Sequence, residues 1–231
     1  VQTLKPVLYI VATPIGNLED ITYRAVRILK ECDLILCEDT RKTQILCNAY
    51  DIHVPLKSYR VHHLEADTAL ALERLRSGQA LALCTDAGTP GLSDPGSHLV
   101  RAVRHELPEV PILPLPGPSA LAAAISVSGF RANPFYFAGF LSIKSGARRR
   151  FFESQKDFDG IVIFYESVHR ISKVLAEVRE VLPERPIFVA REMTKMFEEY
   201  RELKAGESVK EKGEFTVILG LPPRNREKND D

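Results

Sequence analysis

Apolar runs and helical stripes alternate along the first half of the chain. Residues 7–12 are apolar throughout, as a buried strand requires, whereas 21–31 carry Ile21, Ala25, Ile28 and Leu29 at helical spacing. A second apolar run follows at 33–37, then a helix over 40–50. A helix over 64–76 sets Leu64, Thr68, Leu72 and Leu75 on one face. The third strand covers 80–84. The helix over 95–106 opens on Pro95, where a missing N–H costs nothing, and a strand over 110–115 lies among prolines. Strands without polar alternation, separated by helices, predict a mostly parallel sheet covered on both faces. In such sheets ligands bind beyond the carboxyl ends of the strands.

The proline-dense segment Pro114-Leu115-Pro116-Gly117-Pro118-Ser119-Ala120 breaks both periodicities and predicts a boundary. It separates an N-terminal α/β domain over 1–116 from a C-terminal α/β domain over 117–231. The second half reads as helix 119–128, strand 135–138, helix 144–158, strand 160–165 and helix 167–182, then strands 186–190, 196–201 and 215–221. Consecutive strands near the end predict an antiparallel or mixed sheet there.

Composition adds limits. With 231 residues, 45% of them hydrophobic, the chain can bury a core without disulfides or a metal. Lys plus Arg number 31, as do Asp plus Glu, so any nucleic-acid role must rest on a local basic patch. Cys32, Cys37, Cys47 and Cys84 form no C-x-x-C pair and read as reduced core thiols, which suits the cytosol. No apolar stretch approaches the roughly 20 residues of a membrane span. Residues 1–3 lack the form of a signal peptide, the chain starts without Met, and the polar tail over 222–231 is expected to fray. His53, His98 and His105 are scattered and expected at the surface. Adjacent His62 and His63 would point to different faces, so no metal site is expected.

The most informative stretch is Asp86-Ala87-Gly88-Thr89-Pro90-Gly91-Leu92-Ser93-Asp94-Pro95-Gly96, between the third strand and a helix. Its glycines allow positive φ and close approach of a ligand to the backbone. It lacks the Gly-Lys-Ser/Thr of a phosphate cradle, and Asp86 and Asp94 would repel phosphate. Carboxylates suit a positive centre, an amine or ribose hydroxyls, all of which S-adenosylmethionine carries. Thr13-Pro14-Ile15-Gly16-Asn17-Leu18 and Pro116-Gly117-Pro118-Ser119-Ala120 are further loops of this kind, with Ser119 placed to cap a helix.

Six segments then occur in a telling order. They are 8–18, Cys37-Glu38-Asp39-Thr40-Arg41, Thr85-Asp86-Ala87-Gly88-Thr89-Pro90, 114–118, Phe164-Tyr165-Glu166-Ser167 and Arg191-Glu192-Met193-Thr194-Lys195. Together they resemble the tetrapyrrole methylase superfamily and, within it, the methyltransferases of small-subunit ribosomal RNA. The resemblance implies a class III methyltransferase fold, a folded S-adenosylmethionine in the cleft between two α/β domains, and a homodimer. It also implies 2′-O-methylation of a cytidine in the decoding region of 16S RNA, free or in the small subunit, in the cytoplasm. Carried over by position, the cofactor contacts are Pro14 with Gly16, Asp86, Ala87, Gly88, Thr89 and Asp94, Ser119 with Ala120, Tyr165 with Glu166, and Ala190 with Arg191. Relatives commonly carry His-Asn-Glu where this chain has His62-His63-Leu64-Glu65, so the carboxylate there is either shifted to Glu65 or absent.

Methyl transfer from a sulfonium is an in-line displacement, and a ribose hydroxyl needs a base or a nearby cation. Candidates for that work are Glu38, Asp39, Glu166, Glu192 and Lys195, with Glu192 or Lys195 expected to handle the proton. Acids at 38 and 39 equally suit a helix N-terminus. Arg191 through Lys195 could clamp a phosphate or form a solvated loop. Lys144, Arg148, Arg149 and Arg150 make the densest basic cluster, with Lys144 and Arg148 on one helical face. With Arg41, His169 and Arg170 they are the expected RNA contacts. A tetrapyrrole or protein acceptor on the same fold, and a non-catalytic RNA-binding module, are the rival readings.

Overall fold

The computed structural model describes residues 5–60, 63–93 and 96–222. It divides into two compact units whose sequences meet at Ser119 and Ala120. The readings that fall on residues 1–3, His62, Asp94, Pro95 and 223–231 lie outside the described residues.

In the first unit β1 (Val7–Val11), β2 (Leu34–Cys37), β3 (Leu56–Ser58), β4 (Ala80–Cys84) and β5 (Ile112–Leu115) form one sheet. Its order is β3-β2-β4-β1-β5, and every pair is parallel. Helices α1 (Tyr23–Glu31), α2 (Thr40–Ala49), α3 (Leu64–Arg76) and α4 (Gly96–Glu106) provide the crossovers. The central strand β4 shows why polar alternation is missing. Ala80, Ala82 and Cys84 face a layer containing Ile28, Leu29 and Leu46 of α1 and α2. Leu81 and Leu83 face Leu72, Leu75 and Leu99 of α3 and α4. Both faces are covered, so both sets of positions are apolar. Helix starts follow from capping: the Thr22 side chain accepts the Ala25 N–H, and Asp39 accepts the Arg41 N–H.

The short strand β3 is absent from the sequence expectations. It lies at the sheet edge and has no fully buried residue, so it leaves no apolar run to read. All four cysteines are free thiols in the layer under α1 and α2, and burial pushes the Cys32 thiol up to about 12. His98 departs from its expected surface position. It is half-buried, with Nδ1 at 3.2 Å from Thr68 Oγ1 and 3.4 Å from the Tyr59 hydroxyl.

The second unit contains α5 (Ala120–Ser128), β6 (Phe135–Phe140), α6 (Ser145–Ser154), β7 (Ile161–Ser167) and α7 (Ile171–Val181). Strands β8 (Ile187–Arg191), β9 (Glu199–Leu203) and β10 (Glu214–Leu219) complete it. The sheet order is β6-β7-β10-β8-β9, with β6 and β7 parallel and the other pairs antiparallel. This is the mixed sheet that the pattern predicts. Phe152, Val174 and Val178 of α6 and α7 cover Val162, Phe164, Val189 and Val217. Helix α7 starts at Ile171 rather than 167, because Ser167 still pairs with Glu214 at the end of β7. Strand β9 starts at Glu199 rather than 196, and Met196 and Phe197 stand exposed before it.

The basic cluster of α6 is not one exposed face. The Arg148 side chain is 2% exposed. It donates from Nε and Nη2 to both oxygens of Glu177 at 2.7 Å, and from Nη1 to the carbonyls of Ser142 and Ile143. Ser145 also donates to Glu177. Arg148 therefore corrects the expectation of an RNA contact: its donors are spent inside the fold. The Arg148 guanidinium holds the Glu177 carboxyl below its usual range, so the pair stabilises the fold above the ordinary Glu value of 4.5 and that stability is lost as pH falls through the depressed value. Arg148→Ala leaves a buried carboxylate unpaired and is expected to cost about 3–5 kcal/mol in urea unfolding at neutral pH. A change below about 1 kcal/mol, the usual worth of an exposed pair, would contradict this placement.

Candidate functional site

The carboxyl ends of β1, β4 and β5 sit side by side, because β4 and β5 flank β1. The loops that leave them are tied to one another. Thr13 and Gly88 exchange both backbone hydrogen bonds, each 3.0 Å long. The Thr13 hydroxyl donates to the Thr85 carbonyl, and the Thr89 hydroxyl donates to the Pro118 carbonyl at 3.1 Å. Gly88 adopts φ +83°, and a Cβ there would lie 3.4 Å from the Ile15 side chain. Gly117 lets β5's exit approach β1's: a Cβ on it would stand 3.0 Å from Ala12 Cβ. Pro14, Gly16, Ala87, Gly88, Thr89 and Ser119 thus share one edge of the first unit. Asn17 caps the 3-10 turn Leu18–Asp20 that closes the first loop.

The acids at this edge divide by environment. Asp86 accepts the Asp39 N–H at 2.9 Å and Lys42 Nζ at 2.7 Å, so its carboxylate joins β4's exit to the start of α2. Asp39 is the cap of α2 and also takes the Arg41 guanidinium through both oxygens, which holds its pKa far below the usual range. Such a carboxylate is a poor base, and Arg41 is its partner. Glu38 is different. Burial, and then the Asp86 charge, raise its pKa. Its carbonyl is held by Arg60 Nε at 2.9 Å. Lys42 is a residue that sequence reasoning missed: it pairs across 44 positions with Asp86, and only its place beside Arg41 hinted at it.

In the second unit the carboxyl ends of β6, β7 and β8 share an edge, since β10 runs antiparallel to both β7 and β8. Thr216 pairs with Tyr165 on one side and Ala190 on the other, and Phe215 pairs with Glu166 and Arg191. Tyr165, Glu166, Ala190 and Arg191 therefore stand at matching levels, about 10 Å apart across β10. Glu166 is 1% exposed. Its Oε1 accepts the Ser167 N–H and Arg170 Nε, whereas Oε2 has no hydrogen-bond partner among the described residues. A buried carboxylate oxygen left this way is costly and suits an incoming donor. Arg170 also donates to the Leu141 carbonyl, and His169 is exposed.

Arg191 itself takes neither of the two arrangements open to the 191–195 segment, a phosphate clamp or a solvated loop. It is buried, and it donates to Glu199 and to the Lys212 carbonyl. After it the chain turns through two left-handed residues, Glu192 at φ +51° and Thr194 at φ +65°. A β-branched residue there is strained, as at many functional sites. Glu192 Oε1 accepts Lys195 Nζ at 2.9 Å and the Glu214 N–H at 3.0 Å. Lys195 also reaches Glu214 at 2.8 Å. Burial opposes the Lys195 charge, but the bonds to Glu214 and Glu192 outweigh it and raise its pKa. Glu192's pKa is lowered: burial opposes this, and the bonds from Lys195 and the Glu214 N–H prevail. Lys195 is thus held as a cation rather than a proton acceptor. Gly213 and Glu214 were missed. Gly213 adopts φ +90°, which favours glycine, and a Cβ on it would fall 2.3 Å from the Glu192 side chain, which would have to shift. Lys144, Arg149 and Arg150 are exposed, with Arg149 paired to Glu180, and Glu65 is exposed on α3. Among the described residues there is no group of three or more His, Cys, Asp or Glu side chains able to hold a metal, and no helix long and apolar enough to cross a membrane.

A family model described as tetrapyrrole (corrin/porphyrin) methylases matches residues 7–208. Ribosomal RNA small subunit methyltransferase I of Leptospira biflexa is 44% identical, over 98% of this chain and 96% of its own. The Thermotoga maritima protein of the same name is 44% identical over 92% of this chain and 97% of its own. Among solved structures, the methyltransferase CobJ superposes with a TM-score of 0.68 at 20% identity, covering 93% of each chain. Uroporphyrin-III C-methyltransferase from Thermus thermophilus, complexed with S-adenosylhomocysteine, gives 0.63 at 20% identity, with 93% and 97% covered.

The edge of the first unit makes a prediction about charge. Asp86→Asn removes a negative neighbour of Glu38 and releases Lys42 toward it, so the Glu38 pKa is expected to fall. Carbon-13 NMR titration of the Glu38 carboxyl reads it. An unchanged or higher value would contradict the electrostatics assigned here.

Proposed function

The chain belongs to the tetrapyrrole (corrin/porphyrin) methylase family, and from that premise we propose an S-adenosylmethionine-dependent methyltransferase of small-subunit ribosomal RNA. The acceptor proposed is the 2′-hydroxyl of a cytidine ribose in the decoding region of 16S RNA. The working form proposed is a homodimer in the cytoplasm. The observation that carries the acceptor class is similarity along almost the whole chain to relatives named for that RNA.

The residues present fit the cofactor. Gly88 keeps the first unit's edge free of a side chain and lets a ligand reach the backbone. The half-buried Glu38 and the orphaned Oε2 of Glu166 are acceptors for ammonium or hydroxyl donors. Pro14, Gly16, Ala87, Gly88, Thr89, Ser119 and Ala120, with Tyr165, Glu166, Ala190 and the backbone of Arg191, are the proposed contacts. When bound, S-adenosylmethionine supplies an electrophilic methyl group on a sulfonium centre.

The acceptor hydroxyl must lose its proton as the O–CH3 bond forms and the S–CH3 bond breaks. Glu38, with its raised proton affinity, is the proposed proton acceptor. Lys195, fixed as a cation by Glu192 and Glu214, is proposed to stabilise the developing alkoxide. In this assignment Asp39 shapes the start of α2 and Glu192 holds Lys195, and neither takes the proton.

Labelled methyl should pass from S-adenosylmethionine to purified 16S RNA or small subunits and leave a linkage that resists alkaline cleavage. Label found only on a small molecule would overturn the reading. Gly88→Ala is expected to lower stability by about 1–2 kcal/mol in urea unfolding, since an L side chain at positive φ carries that cost in the folded state; an unchanged midpoint would contradict the backbone assigned to this loop. Lys195→Met is expected to lower kcat by about 100-fold with the cofactor Kd unchanged. A lost cofactor affinity instead would reassign Lys195 to binding.

A further inference from the structure

The segment that follows β6 is fixed by side chains from elsewhere in the second unit. Between Phe137 and Phe140 the β6–β7 register shifts, with Gly139 at φ +61°. Such a bulge re-aims the side chains that follow it. Phe140 then stands 61% exposed and Ile143 81% exposed. Each leaves apolar area in water in this position. Two arginines fix the backbone here. Buried Arg148 grips the carbonyls of Ser142 and Ile143, and Arg170 grips that of Leu141. Each arginine is anchored in turn on a buried glutamate, Glu177 and Glu166.

The exposed ring is not isolated. Phe140 pairs in register with Tyr165, and their rings meet edge to face with centroids 5.6 Å apart. Exposed Lys144 and Arg150 follow on the same loop and helix, and exposed His169 follows β7. A rigid aromatic and aliphatic surface flanked by cations is the composition that holds single-stranded nucleic acid: bases stack on the rings and phosphates meet the charges.

We infer that Phe140 and Ile143 form a stacking platform for an unstacked base of single-stranded RNA, fixed beside Tyr165 by the carbonyl grips of Arg148 and Arg170. The inference rests on the RNA reading above and deepens it: it names the residues that hold a base, as distinct from those that serve the cofactor. The charge around the patch favours RNA over a second copy of the chain.

The chain contains no tryptophan, so Phe140→Trp places a single indole on the platform. Its emission is expected to be quenched on titration with purified 16S RNA. Phe140→Leu, which keeps an apolar side chain without a ring, is expected to raise the RNA KM about tenfold while the cofactor Kd and the sedimentation behaviour stay as in the wild type. Unquenched emission, or an unchanged KM, would overturn the platform. A rise in KM accompanied by dissociation of a dimer would also overturn it and assign the patch to a second copy. Quenching without methyl transfer by the wild type would remove the proposed reaction and leave the platform. Methyl transfer with unquenched emission would do the reverse.

Discussion

The reciprocal backbone pair between Thr13 and Gly88 is the constraint on which the first unit's edge depends. Strands β1 and β4 run parallel up to Val11 and Cys84, yet the next contact between their chains is an antiparallel bridge. One chain must reverse within four residues, and Gly88 at φ +83° makes the reversal available. The Thr13 and Thr89 hydroxyls then tie in Thr85 and Pro118, so backbone groups that would be orphaned beyond the sheet are paired. A loop satisfied in this way is preorganised, and a ligand that meets it need not order it first.

The second unit obtains the same rigidity from charge. Arg148, Arg170 and Arg191 each bind a carboxylate and at least one main-chain carbonyl. Arg185 grips four carbonyls, those of Gln155, Phe158, Gly160 and Gly220. The planar guanidinium, with five donors in a fixed fork, suits this work better than lysine would. The cost falls on recognition. Arginines spent in the interior do not reach phosphates, which leaves Lys144 and Arg150 as exposed cations on the loop and helix that follow Phe140.

The parallel sheet was legible because burial on both faces abolishes alternation, as β4 shows. The loops of interest were legible from their Gly, Pro and Asp content at strand ends. What stayed hidden was pairing. Nothing in a single sequence ties Arg148 to Glu177, 29 positions away on another helix, or Asp86 to Lys42. A basic run therefore reads as surface until its partners are seen. Gly213 was equally silent, because its positive φ and the Glu192 side chain beside it are set by the fold around it. Edge strand β3 failed for the opposite reason: with so little burial it had no pattern to show.

A crystal structure of the full chain with S-adenosylhomocysteine tests most directly whether the tied loops form the cofactor edge. The expected result is ligand density in van der Waals contact with the backbone at Gly88 and with the Thr13–Ile15 segment, with the Thr13–Gly88 bonds intact. Well-defined ligand density elsewhere, with those segments untouched, would contradict it.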